Sequence, residues 1–464
     1  MIPTFSTLSN FVFFTRKRKN TPGHRSYIYV PALLIIVFFI ASCQSTTPKI
    51  LSAAQSDSIP GVITLPQPLP LSKAETEYFQ RACEHWYDSA LMYKGFNGGM
   101  LVAKNGNIVF EKYSGTAHLP GNDLITATTP LQIASTSKTF TAMAVLKLWQ
   151  DGKLNIDDEL SKYIKNFNYP GVTIRSLLNH RSGLPNYLYF MEDLGWDKNK
   201  IATNEDVLDN LVNRKAELTN IAPPNRHFTY CNTNYALLAL LVERVTGIKF
   251  PAYLQQTFFG PLQMKNTFVS VATDSSKVIF SYDYRGRPMA LNPSDGVYGD
   301  KNIYTSLRDL LTWDRALISN KIFTPETLAQ AYTPYSNEKP GIRNYGLGWR
   351  MNIYPDGKKM IYHNGWWHGS RAVFIRLLKE NATIILISNK DFHTIYHAKA
   401  LCDLFGSYNN GEEDEEGESS KGSDLIGPVQ PAATLPQVPA APISKKNSKL
   451  RRVFKDKNKV RNRH

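Results

Sequence analysis

Cysteine is scarce in this chain, and the few cysteines present are widely spaced. Only four occur among 464 residues, at positions 43, 83, 231 and 402, and none forms a Cys-x-x-Cys pair. The ten histidines show no His-Glu-x-x-His array or similar grouping. Four cysteines are too few for a fold built on disulfides, and neither residue type has the spacing of zinc ligands. The sequence therefore predicts neither a metal site nor a cofactor.

Excess charge is absent from the central part of the chain, although the formal net charge of the whole sequence is +15. Residues 1–43 contain five basic residues and no acidic one, and residues 445–464 contain ten basic residues and one acidic residue, Asp456. The part between them is therefore close to neutral. A basic terminal run is usually solvated and disordered. Contact of the basic C-terminal end with anionic polymers of a cell envelope is the alternative.

Long apolar runs are also scarce, and the most informative one lies near the N-terminus. It extends from Tyr27 to Ile40, after a basic stretch at residues 16–19 and before Ala41-Ser42-Cys43. The run is short for a membrane span but suits the apolar segment of a signal peptide. Residues 40–43 resemble the lipobox of bacterial lipoproteins, which implies a signal peptide over residues 1–43 and a lipid on Cys43. An uncleaved anchor is the alternative; either one places the protein outside the cytoplasm, beside a membrane and away from nucleic acid.

Composition divides the remaining chain into three parts. Residues 44–70 are rich in Ser, Thr, Pro and Gln, which predicts a linker. Residues 71–410 have the length and apolar content of one large domain. An acidic run, a Pro/Ala-rich stretch and the basic end follow Gly411. None of these can bury a core, so we expect residues 411–464 to be disordered.

Within residues 71–410 the pattern changes from helix to strand, to helix again and back to strand. Amphipathic spacing predicts a helix over residues 73–93, and Asn105-Gly106 between two alternating runs predicts a β-hairpin over residues 98–115. Residues 130–319 are mainly helical in pattern. Strand-like runs and a final helix follow, at 345–354, 359–367, 371–378, 383–388 and 391–408. This order predicts a sheet completed by distant segments, with helices packed on it.

One short motif indicates nucleophilic catalysis. Ser135-Thr136-Ser137-Lys138 has the form S-x-x-K and begins a predicted helix, residues 135–150, that is apolar on nearly every face. Residues three apart share a helix face, so the Ser135 hydroxyl and the Lys138 amine can meet. A lysine can deprotonate a serine when burial lowers the pKa of the amine. Residues 336–339 fit the same pattern between two prolines, which we interpret as chance, and the alternative for Ser135 is an ordinary helix N-cap.

Two further segments can contribute to the same site. Tyr230-Cys231-Asn232 precedes an apolar helical run, and it offers a phenol for proton relay and an amide that can orient Lys138 and a substrate carbonyl. His363-Asn364-Gly365 ends an apolar strand, where the glycine would let a substrate backbone lie close along the strand. The alternatives are a surface turn for the first segment and a strand-end turn for the second.

In this order, S-x-x-K, Y-x-N and H-x-G resemble the motifs of the serine β-lactamase and DD-peptidase superfamily. Residues 173–185, 300–313 and 345–349 are similar to further segments of that superfamily, so the resemblance covers about residues 95–405. It implies an α/β (α+β) fold, in which an antiparallel sheet is flanked by the N- and C-terminal helices and interrupted by a large all-helical insertion.

The resemblance also implies a role for each motif residue. Ser135 would be acylated, and Lys138 would help to remove its proton. Tyr230 would protonate the leaving group and later activate water, while Asn232 would hold the substrate amide. In the third motif, His363 would shape the far wall of the site. Gly365 and Trp366 would contribute to substrate binding at the oxyanion hole, which the backbone N–H groups of Ser135 and Trp366 would form.

The third motif departs from that of β-lactamases, which have Lys-Thr-Gly and then a small residue. Here the glycine is followed by Trp366 and Trp367, so hydroxyls for an antibiotic's carboxylate are missing, and His363 is largely neutral at pH 7. The tryptophans suit apolar substrate groups, or else pack a domain interface. We expect an envelope-anchored, monomeric serine hydrolase of class C or carboxypeptidase/esterase type that acts on esters or D-amino-acid peptides. A β-lactamase proper and a catalytically weak peptidoglycan-binding protein are the alternatives.

The implied fold places the first and last helices of the domain side by side. Cys83 falls on the first helix and Cys402 on the last, whereas Cys231 lies within the Tyr-Cys-Asn motif. If any two cysteines pair, we therefore expect the bridge between Cys83 and Cys402. The alternative is two free thiols buried in a helix–helix seam.

Overall fold

The computed structural model describes residues 61–271 and 279–408. The expected signal peptide (1–43), the lipidated Cys43, the tail (411–464) and most of the linker (44–70) lie outside the described residues. None of the helices within the described ranges has the length and apolarity needed to cross a membrane.

The centre of the fold is a seven-stranded sheet in which every neighbouring pair is antiparallel. Its strand order is β2-β1-β10-β9-β8-β7-β6, so the N-terminal hairpin pairs with the last strand of the chain. A small second sheet has the order β3-β5-β4. The strands are β1 (Gly98–Lys104), β2 (Asn107–Ser114), β3 (Leu131–Gln132), β4 (Phe268–Val269), β5 (Ile303–Thr305), β6 (Arg343–Tyr345), β7 (Arg350–Ile353), β8 (Lys359–Trp367), β9 (Ser370–Leu377) and β10 (Ala382–Ser388).

Helices cover both faces of the large sheet. Within residues 61–271 and 279–408, one α-helix precedes the sheet and eight lie between β2 and β6, which confirms the predicted antiparallel sheet with a large helical insertion. A 3₁₀ helix, His393–Leu404, ends the described chain. The α-helices are α1 (Lys73–Ala90), α2 (Ser137–Gln150), α3 (Ile174–Leu178), α4 (Tyr187–Asp193), α5 (Asn204–Asn213), α6 (Asn232–Thr246), α7 (Phe250–Leu254), α8 (Leu307–Ile318) and α9 (Pro325–Ala331).

The core is divided into two parts by the sheet, because alternate side chains of a strand point to opposite faces. On β1, Met100 and Val102 pack with α1 and the C-terminal 3₁₀ helix. Leu101 and Ala103 pack on the other side, with the helical insertion. Every residue of β10 is buried for the same reason. The sheet therefore has an insertion face, which carries the motif residues described below, and an opposite face made by the two ends of the domain.

Local sequence signals fix the beginning of the domain. Ser72 and Glu75 form a capping box at the start of α1. Asn105 and Gly106 both have positive φ, 55° and 79°, as a two-residue type I′ hairpin turn requires. The predicted first helix and the hairpin are therefore present, with α1 ending at Ala90 instead of residue 93.

Two predicted elements differ from those in the structure. The single strand predicted over residues 345–354 is divided into β6 and β7 by a turn centred on Gly348, which has a φ of 86°. This turn packs closely on α2, since a Cβ at Gly348 would lie 2.2 Å from the Ala142 Cβ. The helix predicted over residues 391–408 is a 3₁₀ helix. Its buried Ile395, Ala398 and Leu401 are spaced by three, which matches three residues per turn.

Cys83 and Cys402, the pair named for a bridge if any two cysteines paired, are free. Cys83 and Cys402 are both buried in the core on the opposite face of the sheet, which agrees with the alternative of a helix seam. The Cys402 thiol lies 3.8 Å from the Met360 sulfur. Burial raises the pKa of the Cys83 thiol to about 12. The thiol is therefore unreactive, because it stays protonated and is shielded from solvent.

Candidate active site

Ser135 lies in a tight turn directly before α2. The turn is a 3₁₀ helix, Ala134–Thr136, and not the first turn of the predicted α-helix, which begins at Ser137. Ala134 has a φ of 46°, an unfavourable conformation for a residue with a side chain. Ser135 itself is only 7% exposed. The strained turn thus brings the hydroxyl to the buried end of α2.

The Lys138 amine lies within hydrogen-bond reach of the Ser135 hydroxyl. The distance from Lys138 Nζ to Ser135 Oγ is 3.1 Å, and the amine also donates to the Asp300 carbonyl oxygen at 2.9 Å. Lys138 is fully buried. Its Nζ lies 4.9 Å from the ring centroid of Tyr230 and 5.7 Å from that of Tyr235. The S-x-x-K segment therefore has the geometry that its spacing predicts.

The second motif is anchored at the start of α6. Cys231 is the N-cap of this helix, and Asn232, half-buried, is its first residue. The Cys231 backbone N–H donates to His180 Nδ1 at 3.1 Å, and its thiol contacts the Leu184 carbonyl oxygen at 3.4 Å. Tyr230 is half-buried and faces the Lys138 amine. The tyrosine and the nucleophile turn are thus brought together by contact between α2 and α6.

His363 forms part of the buried wall behind Tyr230. The two ring centroids are 6.4 Å apart. The imidazole is completely buried, with Nδ1 donating to the Asn364 carbonyl oxygen at 2.7 Å and Nε2 lying 3.3 Å from the Tyr345 hydroxyl. Burial, together with the positive charge of Arg350, holds the pKa of His363 well below its ordinary value. The third motif therefore supplies a neutral imidazole where a lysine would supply a cation.

Gly365 lets two segments of the protein's own backbone come close together. A Cβ at this position would lie 2.1 Å from the Ile133 carbonyl oxygen, so the glycine allows β8 to contact the segment that leads into the nucleophile turn. Thr136 strengthens this contact by donating to the His363 carbonyl oxygen at 3.3 Å. The end of β8, which carries Trp366, is therefore held beside the Ser135 turn. The use of Gly365 beside a substrate backbone stays a prediction.

Arg350 belongs to the same cluster, and no sequence motif pointed to it. It lies on β7, opposite Tyr362 of β8, and its guanidinium is 5.2 Å from the ring centroid of Tyr230. Its charge contributes to the lowered pKa of His363. The cation missing from the third motif is thus supplied by the neighbouring strand. A single arginine in a strand has no distinguishing pattern, so only the pairing of β7 with β8 could reveal it.

His180 was also missed, although it lies in the segment of residues 173–185 that resembles the superfamily. Its ring centroid is 4.4 Å from that of Tyr230, and its backbone adopts a φ of 58°. Nδ1 accepts a hydrogen bond from Cys231 N–H, which leaves the proton of a neutral ring on Nε2. Burial is the main cause that holds the pKa of His180 well below its ordinary value, and the charge of Lys138 is the second cause. A neutral imidazole therefore supports the face of Tyr230.

Trp367, the second residue after Gly365, connects the sheet to the helical insertion. Trp367 Nε1 donates to the Asp295 carboxylate at 2.6 Å, and His368 Nε2 lies 3.0 Å from the same oxygen. The buried Lys301 amine lies 4.8 Å from the Trp367 ring. For Trp367, these contacts agree with the expected packing role at the interface. Over residues 61–271 and 279–408, no three His, Cys, Asp or Glu side chains are arranged to hold a metal ion.

Comparison with known proteins agrees with this fold. Penicillin-binding protein 4* of Bacillus subtilis is 31% identical over 323 residues, which cover 66% of this chain and 71% of that protein. The octameric penicillin-binding protein homologue from Pyrococcus abyssi has a similar structure, with a TM-score of 0.61 and 24% identity over 70% of this chain and 77% of that one. For D-amino acid amidase from Ochrobactrum anthropi SV3, the TM-score is 0.57 and the identity 21%, over 72% of this chain and 96% of that one.

Residues 90–400 match the family described as Beta-lactamase. The match covers the sheet, the helical insertion and all three motifs. This chain therefore belongs to the beta-lactamase family and is a serine hydrolase of that fold.

Proposed function

We propose that this protein hydrolyses D-amino-acid peptides, or related amides and esters, through an acyl-enzyme formed on Ser135. The observation that carries the proposal is the 3.1 Å contact between Ser135 Oγ and the fully buried Lys138 amine. A serine hydroxyl becomes nucleophilic when an adjacent base removes its proton. The Lys138 amine is the adjacent group placed to act as this base.

Acylation begins with attack of Ser135 Oγ on the substrate carbonyl, while Lys138 takes the hydroxyl proton. Tyr230, whose ring lies against the amine, passes a proton to the leaving group. The backbone N–H groups of Ser135 and Trp366 hold the oxyanion, and Asn232 holds the substrate amide. The contact between β8 and the nucleophile turn supports this arrangement, because it fixes both donors on rigid elements.

Hydrolysis of the acyl-enzyme reverses these roles. Tyr230 removes a proton from the attacking water, and Lys138 returns the proton it took in acylation to Ser135 Oγ, which leaves as the restored hydroxyl. Positive charge close to a phenol favours its ionised form. The Lys138 amine and the Arg350 guanidinium both lie against the Tyr230 ring, which supports its use as the base of this step.

The charge near Tyr230 favours substrates that end in a carboxylate. The Arg350 guanidinium carries five N–H donors in a planar fork that matches a carboxylate. A D-amino-acid peptide presents such a carboxylate, and the names of the similar penicillin-binding proteins and D-amino acid amidase agree with this substrate class. Because the hydroxyls of the β-lactamase motif are missing, we expect esters and D-peptides to be better substrates than β-lactams.

A labelling experiment tests the proposed nucleophile. A fluorescent fluorophosphonate should label the wild type and the Ser336→Ala variant, but not Ser135→Ala. Purified protein should then be assayed with p-nitrophenyl esters, D-Ala-D-Ala peptides and nitrocefin. Nitrocefin turnover equal to that of the best ester would favour a β-lactamase instead. Labelling of Ser135 without any turnover would favour a peptidoglycan-binding protein.

We propose further that the protein is lipid-anchored at Cys43 on the outer side of a membrane and acts as a monomer. The lipobox resemblance of residues 40–43 supports the anchor. Cys43→Ser should move the protein from the membrane fraction to the soluble fraction. A variant that stays in the membrane would indicate an uncleaved apolar anchor. Light scattering of the released protein should give the mass of one chain, whereas the similar protein from Pyrococcus abyssi is described as octameric.

A further inference from the structure

The carbonyl of Gly365 and the N–H of Trp366 belong to one peptide unit at the end of β8. The N–H is the proposed second donor of the oxyanion hole. The carbonyl oxygen of the same unit accepts a hydrogen bond from the Tyr396 hydroxyl, at 2.8 Å. Tyr396 lies on the C-terminal 3₁₀ helix, which packs on the face of the sheet opposite the helical insertion. A residue on the opposite face of the sheet therefore contacts the peptide that is proposed to stabilise the transition state.

A hydrogen bond to a peptide oxygen changes the N–H of that peptide. Resonance between the C=O and N–H groups makes the peptide planar, so a donor on the oxygen draws electron density away from the nitrogen. The N–H becomes a stronger donor, and hydrogen bonds linked in this way strengthen each other by about 10–30%. The bond also fixes the plane of the peptide, which keeps the N–H directed at one point. Both effects matter most in an oxyanion hole, where donors act because they are already oriented.

Arg371 holds the same strand end through the Trp366 side chain. The two residues are opposite each other in the β8–β9 pair, and the guanidinium lies 4.6 Å from the Trp366 ring centroid. Arg371 Nη2 also donates to Asp391 at 2.6 Å and lies 3.1 Å from His393 Nε2. The segment that leads into the 3₁₀ helix is therefore tied to the strand end, and this contact keeps Tyr396 in reach of Gly365.

We propose that Tyr396 is a positioning residue for the oxyanion hole: its hydroxyl fixes and polarises the peptide unit between Gly365 and Trp366. This inference rests on the proposed function, in which Ser135 is acylated and Trp366 N–H binds the oxyanion. It adds a residue from the last element of the domain to the machinery of the site. The Tyr396 hydroxyl acts only through the peptide and contacts no substrate.

The test compares Tyr396→Phe with Tyr408→Phe. Each variant removes one phenol hydroxyl from the same end of the chain, and the Tyr408 hydroxyl donates to Glu380, away from the site. For a p-nitrophenyl ester, Tyr396→Phe should lower kcat about three- to tenfold and leave KM within about twofold, since a full oxyanion donor accounts for about 100- to 1,000-fold. Tyr408→Phe should leave both constants unchanged. Melting curves of the two variants serve as the stability control.

Infrared spectroscopy of the acyl-enzyme gives the decisive reading. An ester labelled with ¹³C at its carbonyl is mixed with enzyme and the acyl-enzyme is trapped. A strong oxyanion hole weakens the acyl C=O bond, so the stretch should shift to higher wavenumber in Tyr396→Phe and stay unchanged in Tyr408→Phe. A normal acyl-enzyme with the same carbonyl stretch and kcat in Tyr396→Phe would overturn this inference alone. A wild type that forms no acyl-enzyme on Ser135 would overturn the proposed function and this inference with it.

Discussion

Residues 135–138 and 336–339 have the same S-x-x-K pattern but lie in different environments. The first lies in a buried turn and in the buried first turn of α2, where the lysine is fully buried and in contact with the serine. The second lies in the loop between α9 and β6, and its exposed Lys339 follows Glu338, which pairs with Arg181. The pattern alone therefore has no chemical meaning. Contact between the buried amine and the hydroxyl provides the chemistry, because a serine needs an adjacent base to become nucleophilic.

The two segments should differ most in the effect that replacing their lysines has on turnover. Lys138→Met should lower turnover of a p-nitrophenyl ester by about 1,000-fold or more, because the base is lost. The fold should persist, since an apolar side chain of similar volume replaces a buried amine. Lys339→Met should have the turnover of the wild type. Steady-state rates and melting curves of the three proteins provide the measurement; an equal loss in both variants would show that neither lysine is the specific base.

The two arginines at residues 343 and 350 extend the comparison to substrate binding. Arg350 lies against Tyr230 in the site, whereas Arg343 is exposed on the edge strand β6. Arg350→Gln should raise KM for a D-Ala-D-Ala peptide about tenfold, because a charged hydrogen bond to the carboxylate is lost, which corresponds to about 1.4 kcal/mol. KM for a neutral ester should change less than about twofold. Arg343→Gln should change neither value, and a uniform rise for both substrates with Arg350→Gln would contradict the carboxylate role.

The stability of the protein should depend on pH because of two buried histidines. The pKa values of His180 and His363 are held well below their ordinary value by burial, so the unfolded chain binds protons that the folded protein does not. Stability is then complete above about pH 6.5 and falls as the pH decreases, by about 1.4 kcal/mol per pH unit for each histidine.

Denaturant unfolding between pH 5 and pH 7.5 measures this slope. His363→Asn should reduce the slope of the unfolding free energy against pH by the contribution of about one proton relative to the wild type. A wild type whose stability rose on acidification would contradict the sign derived from the two buried rings.

The smallest expected effect concerns the thiols. Cys83, Cys231 and Cys402 are free and buried. A reducing agent should therefore change the melting temperature by less than about 1 °C, because no bridge among these residues constrains the unfolded chain. Three more thiols should react with Ellman's reagent in guanidinium chloride than under native conditions. A clear drop of the melting temperature on reduction would show that a bridge forms after all.

Residues close together in the chain account for what could be predicted from the sequence. Ser72 and Glu75 are three residues apart and begin α1, and Asn105-Gly106 adopts the two positive φ values of its turn. Ser135 and Lys138 meet because three residues bring side chains to one side of a helical turn. The order of the three motifs then indicated the family and, with it, the antiparallel sheet and the helical insertion.

Contacts between distant segments were decided by the tertiary structure alone. Arg350 reaches Tyr230 only because β7 pairs with β8, and Tyr396 reaches Gly365 only because the last helix packs under the end of β8. The role of Gly365 also follows from its approach to Ile133. Such contacts leave no periodic signal, since each depends on how separate elements pack. The sequence by itself thus determined the nucleophile segment and the fold, whereas packing decided the charge, the support and the shape of the site around it.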